Sequence, residues 1–251
     1  MERIAQRATA EFFGTLAVVF ISAGSVIVSA AGGSVVGEAL AYGLVVAVMV
    51  SVLGHISGGH FNPAVTIGAW VTNQIKTAAA GVYLLVQVAG GAAGAALLRV
   101  CLPGRIWMST QLGTPRVSHQ FGISNGKAVL IEAVLTFFLV FAVYGTAIDE
   151  RGPFSKIAGL PIGLVLTFDV LMGGPLTGAA MNPVRWLGPA LVSGTYTDWW
   201  VYLIGPVGGG VIAASVYWFA FLGGREKMVR LPRSEKPIEG PETPMPPEPE
   251  A

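Results

Sequence analysis

Two stretches decide how the rest of this chain is interpreted: HISGGHFNPAVT at residues 55–66 and GPLTGAAMNPVR at residues 174–185. Each places an Asn-Pro pair after a glycine-containing run, and each pair opens an apolar stretch that ends near Val71 or Val192. Asparagine is a good helix N-cap, and proline suits the first helical turn because its missing N–H would be unpaired there anyway. About ten helical residues rise only about 15 Å, half the thickness of the hydrocarbon layer of a bilayer. We therefore interpret each stretch as a re-entrant loop followed by a half helix.

The chain around these stretches is strongly apolar. Of its 251 residues 53% are hydrophobic and only 12% are charged, about half the ~25% that is usual in soluble domains. This composition excludes a nucleic-acid binder, a disordered chain and a disulfide scaffold, and it indicates an integral membrane protein. Backbone polar groups in lipid must be bonded within their own segment, so the spans should be helices. We predict an all-α membrane protein with six spans, over residues 10–31, 36–54, 78–101, 128–148, 157–172 and 199–222.

The two halves of the chain repeat each other. A glutamate precedes the Asn-Pro pair by 51 positions in the first half and by 50 in the second, and a tyrosine follows it by 21 and by 20. Each half contains three spans, so the second half enters the membrane from the opposite side. Such an inverted repeat, here about residues 10–101 and 128–222, places its site at the midplane where broken helices meet. The repeated residues are Glu11, Asn62 and Tyr83 in the first half, and Glu132, Asn182 and Tyr202 in the second.

The lysines and arginines set the orientation. With both termini in the cytoplasm, ten of them fall on inner segments and four on outer segments, which agrees with the positive-inside rule. The chain then divides into a cytoplasmic N-terminus at residues 1–9, a membrane domain at 10–222 and a tail at 223–251. Seven of the 29 tail residues are proline and six are glutamate, which predicts a disordered cytoplasmic tail. We expect a multi-pass protein of the plasma membrane.

Two half helices that enter from opposite faces would point their N-termini at each other. Each N-terminus carries roughly half a positive charge and unpaired N–H donors, and the amides of Asn62 and Asn182 add further donors. A water held by two donors there cannot also accept from its neighbour, so a proton wire is broken and cations are repelled. Unwound backbone in lipid is tolerated only where it lines a wet cavity. We predict a polar pore for small neutral molecules, with carbonyls from Gly58, Gly59, His60, Phe61, Gly178, Ala179 and Ala180.

Both stretches resemble the signature motifs of the major intrinsic proteins, the aquaporin family, and the resemblance covers about residues 8–222. It implies six spanning helices plus two half helices, a pore in each protomer and a homotetramer in the bilayer. The second motif is most similar to the vacuolar, ammonia-permeable branch. It departs from the family in having Val184 for alanine, and we expect slight repacking where the half helices meet rather than loss of the pore. The motif cores are Asn62, Pro63 and Ala64, and Asn182, Pro183 and Val184.

The resemblance also implies a four-residue selectivity filter on the outer side. Water-selective relatives place histidine where this chain has Val170, and glycerol facilitators carry aspartate where it has Trp186. An arginine in the filter would exclude cations and donate hydrogen bonds to passing solutes. We predict a wider, less polar constriction that passes water, ammonia, urea or hydrogen peroxide and suits glycerol less well. The filter residues are Tyr42, Val170, Ala179 and Arg185.

Four carboxylates fall within or near the spans. Carboxylates buried in lipid are costly and need partners. The resemblance implies that Glu11 and Glu132 brace the re-entrant loops by accepting from backbone N–H groups; a proton relay is the alternative. Glu38 lies one turn outward from the filter tyrosine, where it either lines the outer vestibule or ends a helix in solvent. Asp169 adjoins the filter valine but points about 100° away from it, towards a neighbouring helix.

The sequence shows no arrangement for catalysis or metal binding. His55 and His60 flank the first loop without a cysteine or carboxylate at metal-ligand spacing, and Cys101 is the single cysteine. Motifs of hydrolases, phosphate-binding loops and metalloproteases are absent from the sequence. We predict a passive channel with no metal, no cofactor, no enzymatic activity and no nucleic-acid partner. The alternative is a secondary transporter, which shares the inverted repeat but needs coupling-ion ligands or a titratable relay at the midplane.

Overall fold

The computed structural model describes residues 2–223 of the chain, and all regular structure in these residues is helical. Six of the helices are long and apolar enough to cross a membrane. Helices α3 and α8 are short and begin at the two Asn-Pro pairs. The prediction of an all-α fold with six spans and two half helices is confirmed. In chain order the helices are α1 (Glu2–Ala30), α2 (Val35–Ser57), α3 (Pro63–Val71), α4 (Thr77–Cys101), α5 (Gly104–Trp107), α6 (Asn125–Val143), α7 (Gly159–Thr177), α8 (Pro183–Ser193) and α9 (Val201–Ala220).

Several helices extend beyond the apolar stretches that predicted them. Helix α1 begins at Glu2, so most of the expected N-terminal segment, residues 1–9, belongs to its first turns. Helix α7 continues to Thr177, with Pro175 in its last turn. Hydropathy marks only the part of a helix that lies in lipid, whereas backbone hydrogen bonds continue into the polar flanks. The predicted tail begins at Gly223, and its residues 224–251 lie outside the described part of the chain.

The two halves of the bundle interlock through their half helices. Helix α1 packs against α2 and α4, while the corresponding α6 packs against α7 and α9. Helices α2 and α7 join the halves along one side. The half helix α3 packs against α9 of the other repeat, and α8 packs against α4 of the first. Each half helix is therefore held by the opposite repeat, and both lie between α4 and α9.

Two glycines let the pseudo-equivalent helix pairs approach to backbone contact. A Cβ atom at Gly94 of α4 would lie 2.5 Å from the Leu16 carbonyl oxygen of α1. A Cβ atom at Gly209 of α9 would lie 2.0 Å from the Ala133 carbonyl oxygen of α6. Small residues at such crossings maximise van der Waals contact where lipid supplies no hydrophobic driving force. These close crossings fix the outer frame that holds the half helices.

The far end of each half helix is tied to a spanning helix. The last carbonyls of a helix have no partner within it. The Tyr144 hydroxyl, in a π-helical turn that continues α6 over Tyr144–Ile148, donates to the Gly68 carbonyl of α3 at 3.1 Å. The Arg99 guanidinium of α4 donates to the Val192 carbonyl of α8 at 2.8 Å. Both half helices are thus fixed at their C-terminal ends.

Candidate pore and selectivity filter

The asparagines of both Asn-Pro pairs cap their half helices, as the sequence motif favours. Each has extended backbone, with φ of −155° at Asn62 and −149° at Asn182. The Oδ1 atom of Asn62 accepts from the Ala64 N–H at 2.8 Å, and that of Asn182 accepts from the Val184 N–H at 2.9 Å. With Oδ1 engaged by its own helix, each side chain must turn its NH₂ group away from that helix.

Those NH₂ groups form a crossed pair between the two loops. Asn62 Nδ2 donates to the Met181 carbonyl at 2.9 Å, and Asn182 Nδ2 donates to the Phe61 carbonyl at 2.9 Å. Each asparagine therefore bonds the residue just before the other asparagine. An amide NH₂ has two donors, so each side chain keeps one N–H beyond this bond. Both asparagines line a single cavity, which places two spare donors at the point where the half helices meet.

Glu11 is fully buried and holds the first re-entrant loop. Its Oε1 accepts from the His60 N–H at 3.0 Å and from the Ser57 hydroxyl at 2.6 Å. Its Oε2 accepts from the Phe61 N–H at 2.7 Å and from Gln87 Nε2 at 2.8 Å. Four donors around one carboxylate supply the partners that a buried charge requires.

Glu132 occupies the equivalent place in the second repeat. Its Oε1 accepts from the Ala180 N–H at 3.0 Å and from the Thr177 hydroxyl at 2.7 Å, and its Oε2 accepts from the Met181 N–H at 2.8 Å. The Tyr202 hydroxyl donates to the Thr177 carbonyl at 2.8 Å. The structure thus places both glutamates against the loops they were expected to brace.

The first loop has a polar network that the second lacks and that sequence reasoning missed. The Thr66 hydroxyl donates to the Asn62 carbonyl at 3.1 Å, so towards Gln87 Nε2 and His60 Nδ1, both 3.0 Å away, it must act as acceptor. In this hydrogen-bond assignment His60 carries its proton on Nδ1 and Nε2 is an acceptor. The corresponding residues of the second loop, Ala180 and Trp186, cannot build this network. The one sequence feature that points to this network is that the first repeat has His60 and Thr66 where the second has other residues.

Both loops turn through left-handed backbone, which non-glycine residues adopt at a cost in energy. Gly59, His60 and Phe61 line the cavity, Gly58 ends α2 and is exposed, and the Ala180 carbonyl accepts from the Tyr42 hydroxyl. The glutamate braces supply the hydrogen bonds that hold these turns. The loop residues with positive φ are Gly58 (97°), Gly59 (65°), Phe61 (48°), Gly178 (83°), Ala179 (41°) and Met181 (51°).

The four predicted filter residues are all buried, and three share one apolar cluster. Tyr42, Val170 and Ala179 belong to that cluster. The Tyr42 hydroxyl donates to the Ala180 carbonyl at 2.9 Å. Because this bond occupies the hydroxyl proton, the tyrosine serves the filter mainly as an aromatic wall. Val170 and Ala179 add no polar atoms of their own side chains.

Arg185, the fourth filter residue, is 2% exposed and is held by backbone carbonyls from two elements. Its Nη1 donates to the Gly113 carbonyl at 2.8 Å, and its Nη2 donates to the Ser22 carbonyl of α1 at 3.2 Å. Its Nε is buried and has no partner within the described residues. Gly113, in the loop between α5 and α6, was missed in the sequence because a contact across 72 positions leaves no local pattern.

Val184 fits where the opposite repeat provides space. A Cβ atom at Gly91 of α4 would lie 2.2 Å from Val184 Cγ1, so the valine occupies the room that this glycine leaves. Val184 also belongs to a cluster with Val19 and Ala23 of α1. The extra volume relative to alanine is therefore directed at α4 and α1, whereas the sequence suggested repacking between the tips of the half helices.

The cavity that contains the two asparagines has one polar and one apolar side. The polar side comes from the first re-entrant loop and the asparagine amides. No carboxylate, lysine or arginine lines this cavity within the described part of the chain. Such a surface lets a small polar molecule exchange hydrogen bonds along one wall only. The apolar lining includes Val46 and Val50 of α2, Leu139 of α6, and Ile162 and Leu166 of α7.

The remaining candidates lie outside this cavity. Glu38 is half-buried in the first turn of α2. Asp169 lies between α7 and α6, where it was expected to face a neighbouring helix. His55 is exposed near the end of α2. Over residues 2–223 there is no group of three or more His, Cys, Asp or Glu side chains that could hold a metal ion.

This arrangement defines a membrane channel built from an inverted repeat, with a polar passage at its centre. The chain belongs to the major intrinsic protein family, whose sequence model matches residues 2–217. The predicted membership is therefore confirmed. Proteins of this family are passive channels and not enzymes.

The similarity to individual relatives extends over most of the chain. Aquaporin TIP4-4 of Zea mays is 42% identical over 231 residues, which cover 88% of this chain and 89% of that protein. Nodulin-26 of Glycine max is 38% identical over 220 residues, covering 84% and 76%. Among solved structures, the aquaglyceroporin of Plasmodium falciparum superposes with a TM-score of 0.77 at 25% identity, covering 85% of this chain and 95% of the other. The similarity to a TIP-named protein is compatible with the predicted branch.

Proposed function

We propose that this chain is a passive, bidirectional channel for water and small neutral solutes that excludes protons and ions. The observation that carries the proposal is the crossed pair of Asn62 and Asn182 at the tips of two opposed half helices. Each tip adds a partial positive charge and backbone donors to the spare amide proton. A water at this point is held by donors on two sides, so it offers both lone pairs to the protein and cannot relay a proton from the next water.

The filter supports passage of solutes larger or less polar than water. Val170 and Ala179 contribute only apolar atoms, and the Tyr42 hydroxyl is already bonded to the Ala180 carbonyl. The guanidinium of Arg185, whose buried Nε has no partner among the described residues, is then the main side-chain donor proposed for the constriction. We propose that ammonia, urea and hydrogen peroxide pass along with water, because each is small and needs few hydrogen bonds at once. Glycerol needs several and fits this filter less well.

The contacts of Glu11 and Glu132 favour bracing over proton relay. Each carboxylate accepts from two backbone N–H groups of its own loop and from nearby side-chain donors. Neither lines the cavity that holds the two asparagines. We propose that both are positioning residues that fix the loop carbonyls along the pore.

The cavity lining also favours a channel over a secondary transporter. Coupled transport needs a site for the coupling ion or a titratable group in the substrate path. The described residues around the asparagine pair are apolar, amide or backbone groups, apart from the His60 imidazole and the Tyr42 hydroxyl. We accordingly propose that flux follows the solute gradient alone.

We further propose that the chain forms a homotetramer with one pore per protomer and that both termini lie in the cytoplasm of a plasma-membrane protein. The distribution of Lys and Arg supports the orientation. Native mass spectrometry is expected to show four copies, and a terminal fluorescent tag should label the cell boundary with its fluorophore inside. A single copy in the mass spectrum would overturn the homotetramer. A tag on internal membranes would overturn the plasma-membrane location, and a fluorophore outside the cell would overturn the cytoplasmic termini.

The solute proposal is tested with purified protein in liposomes. Stopped-flow light scattering follows swelling or shrinkage under sucrose, urea and glycerol gradients, and an entrapped pH dye follows ammonia entry. We expect fast water flux with a low activation energy, together with ammonia and urea flux above that of empty liposomes. The variant V170H should lose most of the ammonia and urea flux and keep water flux, because the imidazole narrows the filter and adds a donor. If the unsubstituted protein passes water but neither ammonia nor urea, the proposal of a wide selectivity filter is wrong.

A further inference from the structure

A histidine and an aspartate from two different loops face each other near the first residues of α6 and α9. His119 lies in a 3₁₀ turn, His119–Phe121, of the loop between α5 and α6. Asp198 lies in the segment between α8 and α9, three residues before α9 begins. His119 Nε2 and Asp198 Oδ2 are 3.4 Å apart. Neither side chain lines the cavity of the asparagine pair, so the pair has no part in the pore described above.

Hydrogen bonding fixes which nitrogen of the His119 ring is free to bind an ion. The Ile123 carbonyl, 3.0 Å from His119 Nδ1, can only accept, so Nδ1 carries a proton. In the neutral ring the lone pair then lies on Nε2, the nitrogen that faces Asp198. A histidine that binds a metal through one ring nitrogen almost always donates its other N–H to a carbonyl or a carboxylate. The Ile123 carbonyl provides that supporting contact here.

The carboxylate of Asp198 is oriented in a similar way. Asn125 Nδ2, at the start of α6, donates to Asp198 Oδ1 at 2.7 Å, which leaves Oδ2 towards His119. Ligating carboxylates are usually hydrogen-bonded through such a neighbour. The side chain of Asp198 is 14% exposed, whereas that of His119 is 59% exposed. The pair is thus anchored at its aspartate and open to solvent at its histidine, so an ion can reach it from water.

The distance between the two atoms suits a shared metal ion better than a direct hydrogen bond. A neutral Nε2 and a carboxylate oxygen are both acceptors, so they attract each other only through a proton or a metal ion between them. A hydrogen bond from a charged imidazole would bring them to about 2.7–2.9 Å. Two nitrogen or oxygen ligands of one tetrahedral Zn²⁺, each about 2.0–2.1 Å from the metal, are about 3.3–3.4 Å apart. The observed 3.4 Å matches that separation of ligands.

We propose that His119 Nε2 and Asp198 Oδ2 bind a divalent transition-metal ion of the zinc type, with water completing its coordination. Imidazole nitrogen and carboxylate oxygen are both ordinary ligands of Zn²⁺. Two protein ligands are fewer than the three or four that hold a resident zinc ion, so this ion exchanges with the solution. With both termini in the cytoplasm, as proposed above, the site faces the outer solution.

A bound ion would join the loop between α5 and α6 to the segment that precedes α9. The same loop holds the filter residue Arg185 through the Gly113 carbonyl. It also contacts the end of α7, because the Ser118 hydroxyl donates to the Pro175 carbonyl at 2.6 Å. An ion that binds only the folded protein stabilises it by mass action. Zinc should therefore raise the temperature at which the protein unfolds.

Zinc binding to the purified full-length chain, without a polyhistidine tag, tests the site. The background is C101S, because Cys101 is exposed and a thiolate also binds zinc. Titration calorimetry with zinc chloride in a non-chelating buffer should show one ion per chain, and zinc should raise the unfolding temperature. H119A should weaken binding by about tenfold or more. The matched control is H55A, which removes an exposed histidine of α2 and should leave zinc binding unchanged.

A second variant separates a metal site from a simple ion pair. Asp198 has a φ of 53°, a left-handed backbone that asparagine also adopts readily, so D198N removes the charge without straining the chain. At a metal site, D198N and H119A both abolish the rise in unfolding temperature that zinc causes. For an ion pair alone, both variants lower the unfolding temperature by the same amount with and without zinc, which would overturn the proposal.

Two further results would also overturn the metal site: no zinc binding by the C101S protein, or binding by H119A as tight as that by H55A. Water flux of the C101S protein in liposomes is measured separately. A protein that passes water and does not bind zinc contradicts the metal site and leaves the proposed channel function intact.

Discussion

The side chains that define the pore are held by backbone groups rather than by one another. Arg185 is the clearest case, since its two Nη atoms bond the carbonyls of Gly113 and Ser22. The guanidinium is thereby fixed in one orientation, and its Nε has no partner among the described residues. In the proposed filter, such a fixed cation repels other cations without a mobile gate.

Loss of that cation should open the pore to charge. We expect R185A to raise the proton and cation permeability of proteoliposomes several-fold while water flux is kept or increased. A pH dye and a potassium-sensitive dye measure the leak. The control is R116A, because Arg116 is exposed in the loop between α5 and α6 and, among the described residues, its side chain bonds the Ser109 carbonyl alone, at 3.4 Å. If the R185A and R116A proteins have the same proton and cation permeability, Arg185 is not a filter residue.

Glu132 should contribute to stability through its acceptors. A glutamine there turns one acceptor into an NH₂ group that faces donors, so at least one buried N–H of the second loop loses its partner. We expect E132Q to lower the free energy of unfolding by about 1–3 kcal/mol and to reduce water flux. Thermal unfolding in detergent measures the loss of stability, and light scattering on proteoliposomes measures the water flux. The control is E38Q, at a half-buried site on α2. If E132Q and E38Q have the same unfolding temperature and the same water flux, Glu132 does not brace the second loop.

At the scale of helices, the frame depends on crossings that only glycine permits. The α6–α9 crossing at Gly209 is the closest of them, with the Ala133 carbonyl 2.0 Å from a notional Cβ. Neighbouring Gly208 on the same helix has open space at its Cβ position. The two glycines therefore have the same helix propensity but opposite packing requirements.

This contrast gives a matched pair of variants. We expect G209A to force α9 away from α6 and destabilise the fold by about 1–3 kcal/mol, as overpacking does. G208A should be neutral or slightly stabilising, because alanine favours helix. The test compares the unfolding temperatures of the G209A and G208A proteins in the same detergent. A G209A protein that unfolds at the temperature of the G208A protein would contradict the close crossing.

The loop between α6 and α7 is held by an ion pair just beyond the end of the candidate span Asn125–Ile148. Arg151 donates to both carboxylate oxygens of Asp149, and the Tyr217 hydroxyl donates to Oδ2 at 3.1 Å. The Arg151 guanidinium holds the pKa of Asp149 at about 2, below its ordinary value of 3.8. A lowered carboxyl pKa means that the folded state favours the ionised form, so the stabilisation is present above pH 3.8 and lost as pH falls towards 2.

The pH range of that stabilisation can be measured. We expect D149N to unfold at a lower temperature than the unsubstituted protein at pH 7, with a difference that shrinks between pH 4 and pH 2. E150Q serves as control because Glu150 is exposed and adjacent, and it should show no such dependence. A difference between D149N and the unsubstituted protein that persists unchanged at pH 2 would exclude the ion pair as its source.

The whole molecule is an inverted repeat whose symmetry can be predicted from the sequence, whereas the tertiary contacts that differ between the halves cannot. The spacing of Glu11, Asn62 and Tyr83, repeated at Glu132, Asn182 and Tyr202, predicts the spans, the half helices and the residues that meet at the midplane. Motif spacing also predicts the filter, since Arg185 lies one turn into its half helix. These features follow from local helix rules applied twice.

The contacts missed by sequence reasoning join distant segments. The Gly113 carbonyl that holds Arg185, the Thr66–Gln87 network around His60, and the space at Gly91 that accommodates Val184 each depend on tertiary packing. No periodicity or capping rule encodes such a contact. Helix ends also differed, because hydropathy reports the lipid-embedded part of α1 and α7 and not their full hydrogen-bonded length.

The central claim is that the asparagine pair lets water through and stops protons. The most direct test measures water and proton permeability in the same proteoliposomes, by light scattering and an entrapped pH dye. We expect water flux far above that of empty liposomes, with proton flux at the lipid background. Proton flux that rises together with water flux would contradict the donor arrangement at Asn62 and Asn182, and water flux no higher than that of empty liposomes would contradict the channel itself.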